Sequence, residues 1–175
     1  ADTLSAGGGP DTLDGGPGDD RLSGGAGADT LFAGDGRDTL DGGAGDDVLR
    51  AGDTADDLRD MAYGADGADR IDGGHGNDAL HGGAGDDTIA GGFGADRVIG
   101  NAGADVITGG AWSDLLFGGD GFDFVNGGFG SDRVNGGPGP DRFFHTGVAG
   151  HGSDWIQDFS ARDGDRLVYG GAGTH

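Results

Sequence analysis

The chain has no cysteine, and its 175 residues contain no glutamate and no lysine either. Each absence removes a class of chemistry. Without Cys there are no disulfides and no thiolate zinc sites. Without Lys there is no phosphate-binding loop ending in Gly-Lys. Without Glu there is neither a His-Glu-x-x-His zinc-protease helix nor an EF-hand loop closed by a bidentate carboxylate. Aromatic residues make up only 7% of the chain. No apolar run is long enough to cross a membrane, and no N-terminal signal peptide is expected. Positive charge is also short: ten Arg stand against 32 Asp, for a formal net charge of −22. Nucleic acid is therefore excluded as a partner, because its phosphates would be repelled.

Glycine is what the chain has in excess. There are 46, about four times the usual share. An acidic chain poor in large apolar residues ordinarily stays disordered, but a repeat argues against that here. Residues 73–81, 82–90 and 91–99 read "GGHGNDALH", "GGAGDDTIA" and "GGFGADRVI". With position 1 set at Gly82, position 6 is Asp2, Asp11, Asp20, Asp29, Asp38, Asp47 and Asp56. After a phase break at residues 60–63 it is Asp69, Asp78, Asp87, Asp96, Asp105, Asp114, Asp123, Asp132 and Asp141. Position 8, two residues on, is apolar throughout, from Leu4 and Leu13 to Val134 and Phe143, with Leu58 in that place before the break. The pattern is the nonapeptide Gly-Gly-x-Gly-x-Asp-x-U-x, where U is apolar.

The spacing predicts a short strand over positions 7–9 with one inward residue, and a turn over positions 1–6. Glycines in the turn permit positive φ and let backbone carbonyls converge. Carbonyls and a carboxylate form an all-oxygen set suited to a hard cation. The candidate ligands are the sixteen position-6 aspartates and the position-2 and position-4 glycines of regular turns: Gly16 and Gly18, Gly25 and Gly27, Gly34 and Gly36, Gly43 and Gly45, Gly74 and Gly76, Gly83 and Gly85, Gly92 and Gly94, Gly119 and Gly121, and Gly128 and Gly130. No residue is assigned a catalytic role. One buried apolar residue per nine cannot offset the entropy of ordering so much glycine, and stacked aspartates repel one another. Roughly ten divalent ions would bring about +20 and neutralise most of that charge.

These motifs resemble the repeats-in-toxin family, the calcium-binding nonapeptides of secreted bacterial toxins, proteases, lipases and adhesins. The resemblance implies an all-β parallel β-roll over residues 1–144. Two nonapeptides make one 18-residue coil, and calcium sits between turns stacked one coil apart. It also implies roughly 8–14 calcium ions, extracellular localisation, and export by a type I secretion apparatus. A covalently linked N-terminal functional domain, absent here, would carry any catalysis. The module itself is expected to be a monomer. The stacked partners carried over are Asp11/Asp29/Asp47 and Asp2/Asp20/Asp38/Asp56, then Asp69 through Asp141 and Asp78 through Asp132 in steps of 18.

Thr54 and Trp112 depart from the position-4 Gly, which puts neighbouring cages in doubt. Ala6, Ala33, Ala51, Ala65 and Asn101 are milder departures at positions 1 and 2. The stretch "TADDLRDMAY" (54–63) reads as a plain insertion, with a partner-binding loop as the alternative. Residues 145–169, "HTGVAGHGSDWIQDFSARDGDRLVY", are similar to the segment that follows the repeats in serralysin-type proteases. Residues 145–175 are therefore expected to cap the roll, with strands near 155–157 and 166–169 and with Trp155 buried. The first repeat begins mid-motif and no secretion signal follows "GGAGTH", so a piece of a larger protein is expected.

His75, His81, His145, His151 and His175 lack metal-ligand spacing. Phe93, Phe122 and Phe129 decorate turns and are expected to pack on neighbouring turns. Two further functions are weighed. A glycan-binding accessory module would need an ordered basic or aromatic stripe. An ice-binding surface would need a Thr/Asn ladder at turn positions 3 and 5, which the sequence lacks.

Overall fold

A computed structural model describes residues 1–52, 54–55, 57–145 and 152–170. Eighteen strands run along these residues: β1 Thr3–Gly8, β2 Thr12–Asp14, β3 Arg21–Ala26, β4 Thr30–Phe32, β5 Thr39–Ala44, β6 Val48–Arg50, β7 Met61–Asp66, β8 Arg70–Asp72, β9 Ala79–Ala84, β10 Thr88–Phe93, β11 Arg97–Ala102, β12 Val106–Ala111, β13 Leu115–Asp120, β14 Phe124–Phe129, β15 Arg133–Asn135, β16 Arg142–His145, β17 Trp155–Ile156 and β18 Arg166–Tyr169. Odd-numbered strands form one parallel sheet in chain order and even-numbered strands form the other. The chain is a parallel β-roll of about eight turns. Each coil advances 18 residues, so Leu22 lies beside Leu4 and Leu40 beside Leu22.

The core is a single file between the sheets. Position 8 supplies it: Leu22, Leu31, Leu40, Leu49, Leu80, Val98, Ile107 and Leu116 are fully buried. Position 1 also points inward, and in six-residue strands such as β10 the burial alternates through positions 7 to 3. Ten strands extend into position 3, beyond the three residues expected. Identical register in adjacent coils lets glycine backbone join the ladder, which offsets its poor strand propensity.

The phase break lies elsewhere than the spacing suggested. Met61, Ala62 and Tyr63 pair with Thr39, Leu40 and Asp41, so Ala62 is the position-8 residue and is fully buried. Leu58 is 52% exposed. Its amide donates to the Gly36 carbonyl at 3.1 Å and its carbonyl accepts from Asn77; a Cβ on Gly76 would lie 2.3 Å from the Leu58 carbonyl oxygen, as one on Gly36 would lie 2.4 Å from that of Gly18, so Leu58 holds the place of a position-4 glycine. The extra residues therefore fall between Gly52, at position 2, and Leu58, at position 4, and residues 60–63 are regular. Asp60 takes the position assigned to Asp56, which lies outside the described residues. Small Ala62 beside large Leu58 misled the apolar pattern.

Both strands of the C-terminal segment form. β17 pairs with β15 and β18 pairs with β16, so each sheet gains a last strand. Ile156 packs against the core. Trp155, expected inside, is 63% exposed. It occupies the outward position 7, where the Arg133 guanidinium lies 5.9 Å from its ring. Leu167 and Tyr169 are exposed as well.

Candidate metal centres

Each turn ends on a position-6 aspartate, and from Asp20 onward these carboxylates are buried. Oδ1 accepts a hydrogen bond from the backbone amide of the position-6 aspartate one coil earlier. Asp29 Oδ1 takes the Asp11 amide at 2.8 Å, and Asp105 Oδ1 takes the Asp87 amide at 2.8 Å. Repeated, these bonds make two ladders along the roll. One runs Asp2, Asp20, Asp38, Asp60, Asp78, Asp96, Asp114, Asp132, Asp154. The other runs Asp11, Asp29, Asp47, Asp69, Asp87, Asp105, Asp123, Asp141, Asp165.

The second oxygen behaves differently. Oδ2 of every rung from Asp20 to Asp132, and from Asp29 to Asp141, is buried without a hydrogen-bond partner. It faces other acceptors. A Cβ on Gly82 would lie 2.2 Å from Asp87 Oδ2 and 2.8 Å from the Gly100 carbonyl oxygen, and Gly118 stands in the same relation to Asp123 and Gly136. Two acceptors converge there with no donor between them. Leaving such a group unsatisfied is costly. A cation is the group these oxygens fit.

Electrostatics point the same way. Burial, the largest cause, pushes the carboxyls up against the lowering effect of the amide each one accepts. Asp78, Asp87, Asp114 and Asp123 rise to about 7, and Asp38, Asp69, Asp96 and Asp132 to about 6. Neighbouring carboxylates raise most of them further, as Asp105 and Asp69 do for Asp87. Arginine relieves little of this: Arg59 lowers Asp78, against the larger effect of its burial. The ion pairs among the described residues are the N-terminal amine with Asp20 and His145 with Asp154. Arg50, Arg97, Arg133 and Arg142 instead lie over aromatic rings.

All eighteen glycines named as candidate ligands have positive φ. So do Ala65, Asn101 and Trp112, which therefore keep the turn shape despite the penalty for a side chain there. The Trp112 amide still donates to the Phe129 carbonyl at 2.7 Å, and the rung from Asp114 to Asp132 beside it is intact. Thr54 is not a position-4 residue; Leu58 is.

Fifteen of the sixteen aspartates read from the spacing lie in the ladders, with Asp2 exposed and Asp11 half-buried at the first coil. Asp60, Asp154 and Asp165 were missed. "GSDWI" carries the Gly-x-Asp-x-U spacing and announced Asp154; Asp165 in "DGDRL" has only Asp-x-U. At these last rungs the second oxygen has a protein partner. Asp154 Oδ2 lies 3.1 Å from His145 Nδ1, and Asp165 Oδ2 accepts from the Ser160 amide at 2.7 Å. The row of unpartnered oxygens thus ends at Asp132 and Asp141.

His75 stacks on Phe93, with ring centroids 4.7 Å apart, and His81 stacks on Tyr63. Phe93 thus meets its neighbouring turn as expected. His151 and His175 lie outside the described residues.

A family model described as the RTX calcium-binding nonapeptide repeat (4 copies) matches residues 1–31, 23–58, 54–89, 81–111 and 113–143. No curated protein gives a significant match to the chain.

Proposed function

The chain belongs to the family of RTX calcium-binding nonapeptide repeats, and from that premise we propose that it folds on calcium after export and supports the folding and export of a larger secreted protein. A β-roll of repeats alone is a non-catalytic type of module. The observation that carries the reading is the pair of ladders in which one oxygen of each inner carboxylate is bonded and the other is buried unpartnered. In this reading the rung carboxylates hold the ions. No cluster of three His, Cys, Asp or Glu occurs among the described residues, so turn carbonyls would complete each oxygen shell: the position-1 carbonyls that converge on Oδ2 and those of the position-2 and position-4 glycines. Calcium supplies the positive charge that the arginines do not. The ion number follows the inner rungs, within the range of roughly 8–14.

Unfolded in calcium-poor cytosol, such a chain suits threading through a type I secretion channel. The likeness of residues 145–169 to the serralysin flank makes a protease or related hydrolase the fitting N-terminal partner. The gene sequence upstream of Ala1 tests this, and a catalytic domain of another class there would refute it.

Position in the array gives the test of the ion sites. Asp105 has rungs on both sides, to Asp87 and to Asp123. Asp2 begins its ladder and is exposed. Asp105→Ala is expected to raise the calcium midpoint of folding by about three- to tenfold, and Asp2→Ala to leave it near wild type. Equal midpoints in a circular dichroism titration would contradict the ladders.

A second reading has one observation behind it. A cleft of about 550 Å³ on one turn edge is lined by Arg37, Arg59, His75, Phe93 and Trp112. Exposed rings beside arginines suit a glycan with acidic sugars. Trp112→Ala is expected to abolish retention on an immobilised uronate polysaccharide without changing calcium-dependent folding. Unchanged retention removes this reading.

A further inference from the structure

The turn at residues 51–60 is ten residues long where the others have six. Its extra length is tied down. The Asp57 amide donates to the Thr54 carbonyl at 3.1 Å, and Thr54 Oγ1 donates to Asp35 Oδ1 at 2.6 Å on the preceding coil. The detour turns the Asp57 side chain inward, to 7% exposure. Asp57 Oδ1 accepts from the amides of Gly36 at 3.2 Å and Leu58 at 2.9 Å. Asp57 Oδ2 is buried with no partner, and so is Oδ2 of Asp60, three residues on and fully buried. A Cβ on Gly52 would collide with the Asp57 carboxylate, so glycine leaves the room this group needs.

Every other inner turn contributes one unpartnered carboxylate oxygen, and this one contributes two. Two adjacent carboxylates in a low-dielectric site do not both ionise unless a cation joins them.

We propose that Asp57 together with Asp60 forms a dedicated site for a hard divalent cation, and that it is the tightest site of the array. The inference rests on the calcium reading above. Oxygen-site affinity is set by ligand charge and rigidity. This site has two buried carboxylates where a regular inner turn has one, and the amides of Gly36 and Leu58 fix Asp57 in place. Coils on both sides are paired across it, β5 with β7 and β6 with β8. Its ion therefore fills first and joins the two halves of the roll at the point where the repeat is broken.

Calorimetric calcium titration of the full chain tests this. Wild type is expected to show one equivalent bound at least about tenfold more tightly than the rest. Asp57→Asn keeps the shape and an acceptor oxygen, and is expected to weaken that equivalent about tenfold while leaving the others. An unchanged first equivalent, or a full complement of ions with no tight class, overturns the proposal alone. A wild-type chain that binds no calcium overturns the underlying reading as well. Terbium gives a second measurement that needs no variant of Asp57. Trp112 lines the same cleft as Asp57, so the first equivalent of terbium is expected to luminesce through Trp112. The signal should vanish in Trp112→Phe and persist in both Trp155→Phe and Asp114→Asn, the latter removing the carboxylate of the rung beside Trp112; loss of the signal in Asp114→Asn, or the reverse tryptophan pattern, places the first ion elsewhere and overturns the proposal.

Discussion

In excess chelator at pH 8 the chain is expected to give the circular dichroism of an unfolded polypeptide, and calcium is expected to convert it fully to parallel β-structure. The midpoint should lie on the order of 10⁻⁴–10⁻³ M, as in extracellular modules. The core is one side chain wide, and each coil buries two position-8 residues while ordering 18. That burial cannot meet the backbone entropy alone. Against the fold stand fourteen inner rung carboxylates, each with a buried oxygen that has no donor. Magnesium should substitute poorly, because it demands tight octahedral geometry that a set of turn carbonyls does not offer.

Acid offers an independent check on the same carboxylates. Their folded-state values near 6 to 8 lie above the ordinary 3.8, so between these values the folded chain binds more protons than the unfolded one. Stability of the calcium-free fold then falls as pH rises through that window and recovers as pH drops from 8 towards 4. In chelator, partial return of β-structure near pH 4 is expected. A β-rich fold at pH 8 in chelator, or no response to calcium, would sink the account.

The periodic part of the molecule was readable because each repeat position answers to one physical demand. Position 8 is apolar since it alone faces the core from every strand, and position 6 is Asp since Oδ1 takes an amide of the preceding coil while Oδ2 is left free inside the turn. These regularities located the sheets and fifteen of the ladder residues without coordinates. The 53–57 detour was harder to place. The Asp-x-U signal occurs twice around it, at Asp56 with Leu58 and at Asp60 with Ala62, and hydrophobicity favours Leu58. Hydrogen bonding across 22 residues, from the Asp38 amide to Asp60, decides for Asp60. The second rung oxygen could not be read at all, because whether it finds a donor depends on which chain lies over it. Asp154 and Asp132 look alike in sequence, yet only Asp154 has His145 against its second oxygen. Trp155 was misplaced through strand parity: one step along β17 exchanges an inward indole for an inward Ile156.

A chain ending at Phe144 is expected to lose cooperative folding, or to need several times more calcium to fold. The segment that follows covers the last core layer through Ile156 and Phe159, and the rest of its weight lies in polar closure. In the intact chain the Asp132 and Asp141 amides are taken up by Asp154 and Asp165 Oδ1. The Trp155 amide donates to the Asp132 carbonyl at 2.7 Å, Gln157 to Val134 at 2.8 Å and Arg166 to Asp141 at 2.8 Å. Asp158 accepts from the amides of Gly136 and Gly137 at 3.0 and 2.6 Å. Truncation strands all of these on the last coil and uncovers Val134 and Phe143, both nearly buried. A solenoid frays from an end whose strand edges are unpaired, and each unpaired coil weakens its neighbour. The last rungs matter most, since Asp132 and Asp141 are the final carboxylates with an unpartnered oxygen. Their ions would then sit at a fraying end. Tryptophan emission is a poor monitor, because Trp112 and Trp155 stay 69% and 63% exposed in the folded chain. Backbone circular dichroism against free calcium is the measurement to use. If the truncated chain folds at the wild-type midpoint with the wild-type steepness, residues 145–175 are a tail, and the roll closes at Phe143 without them.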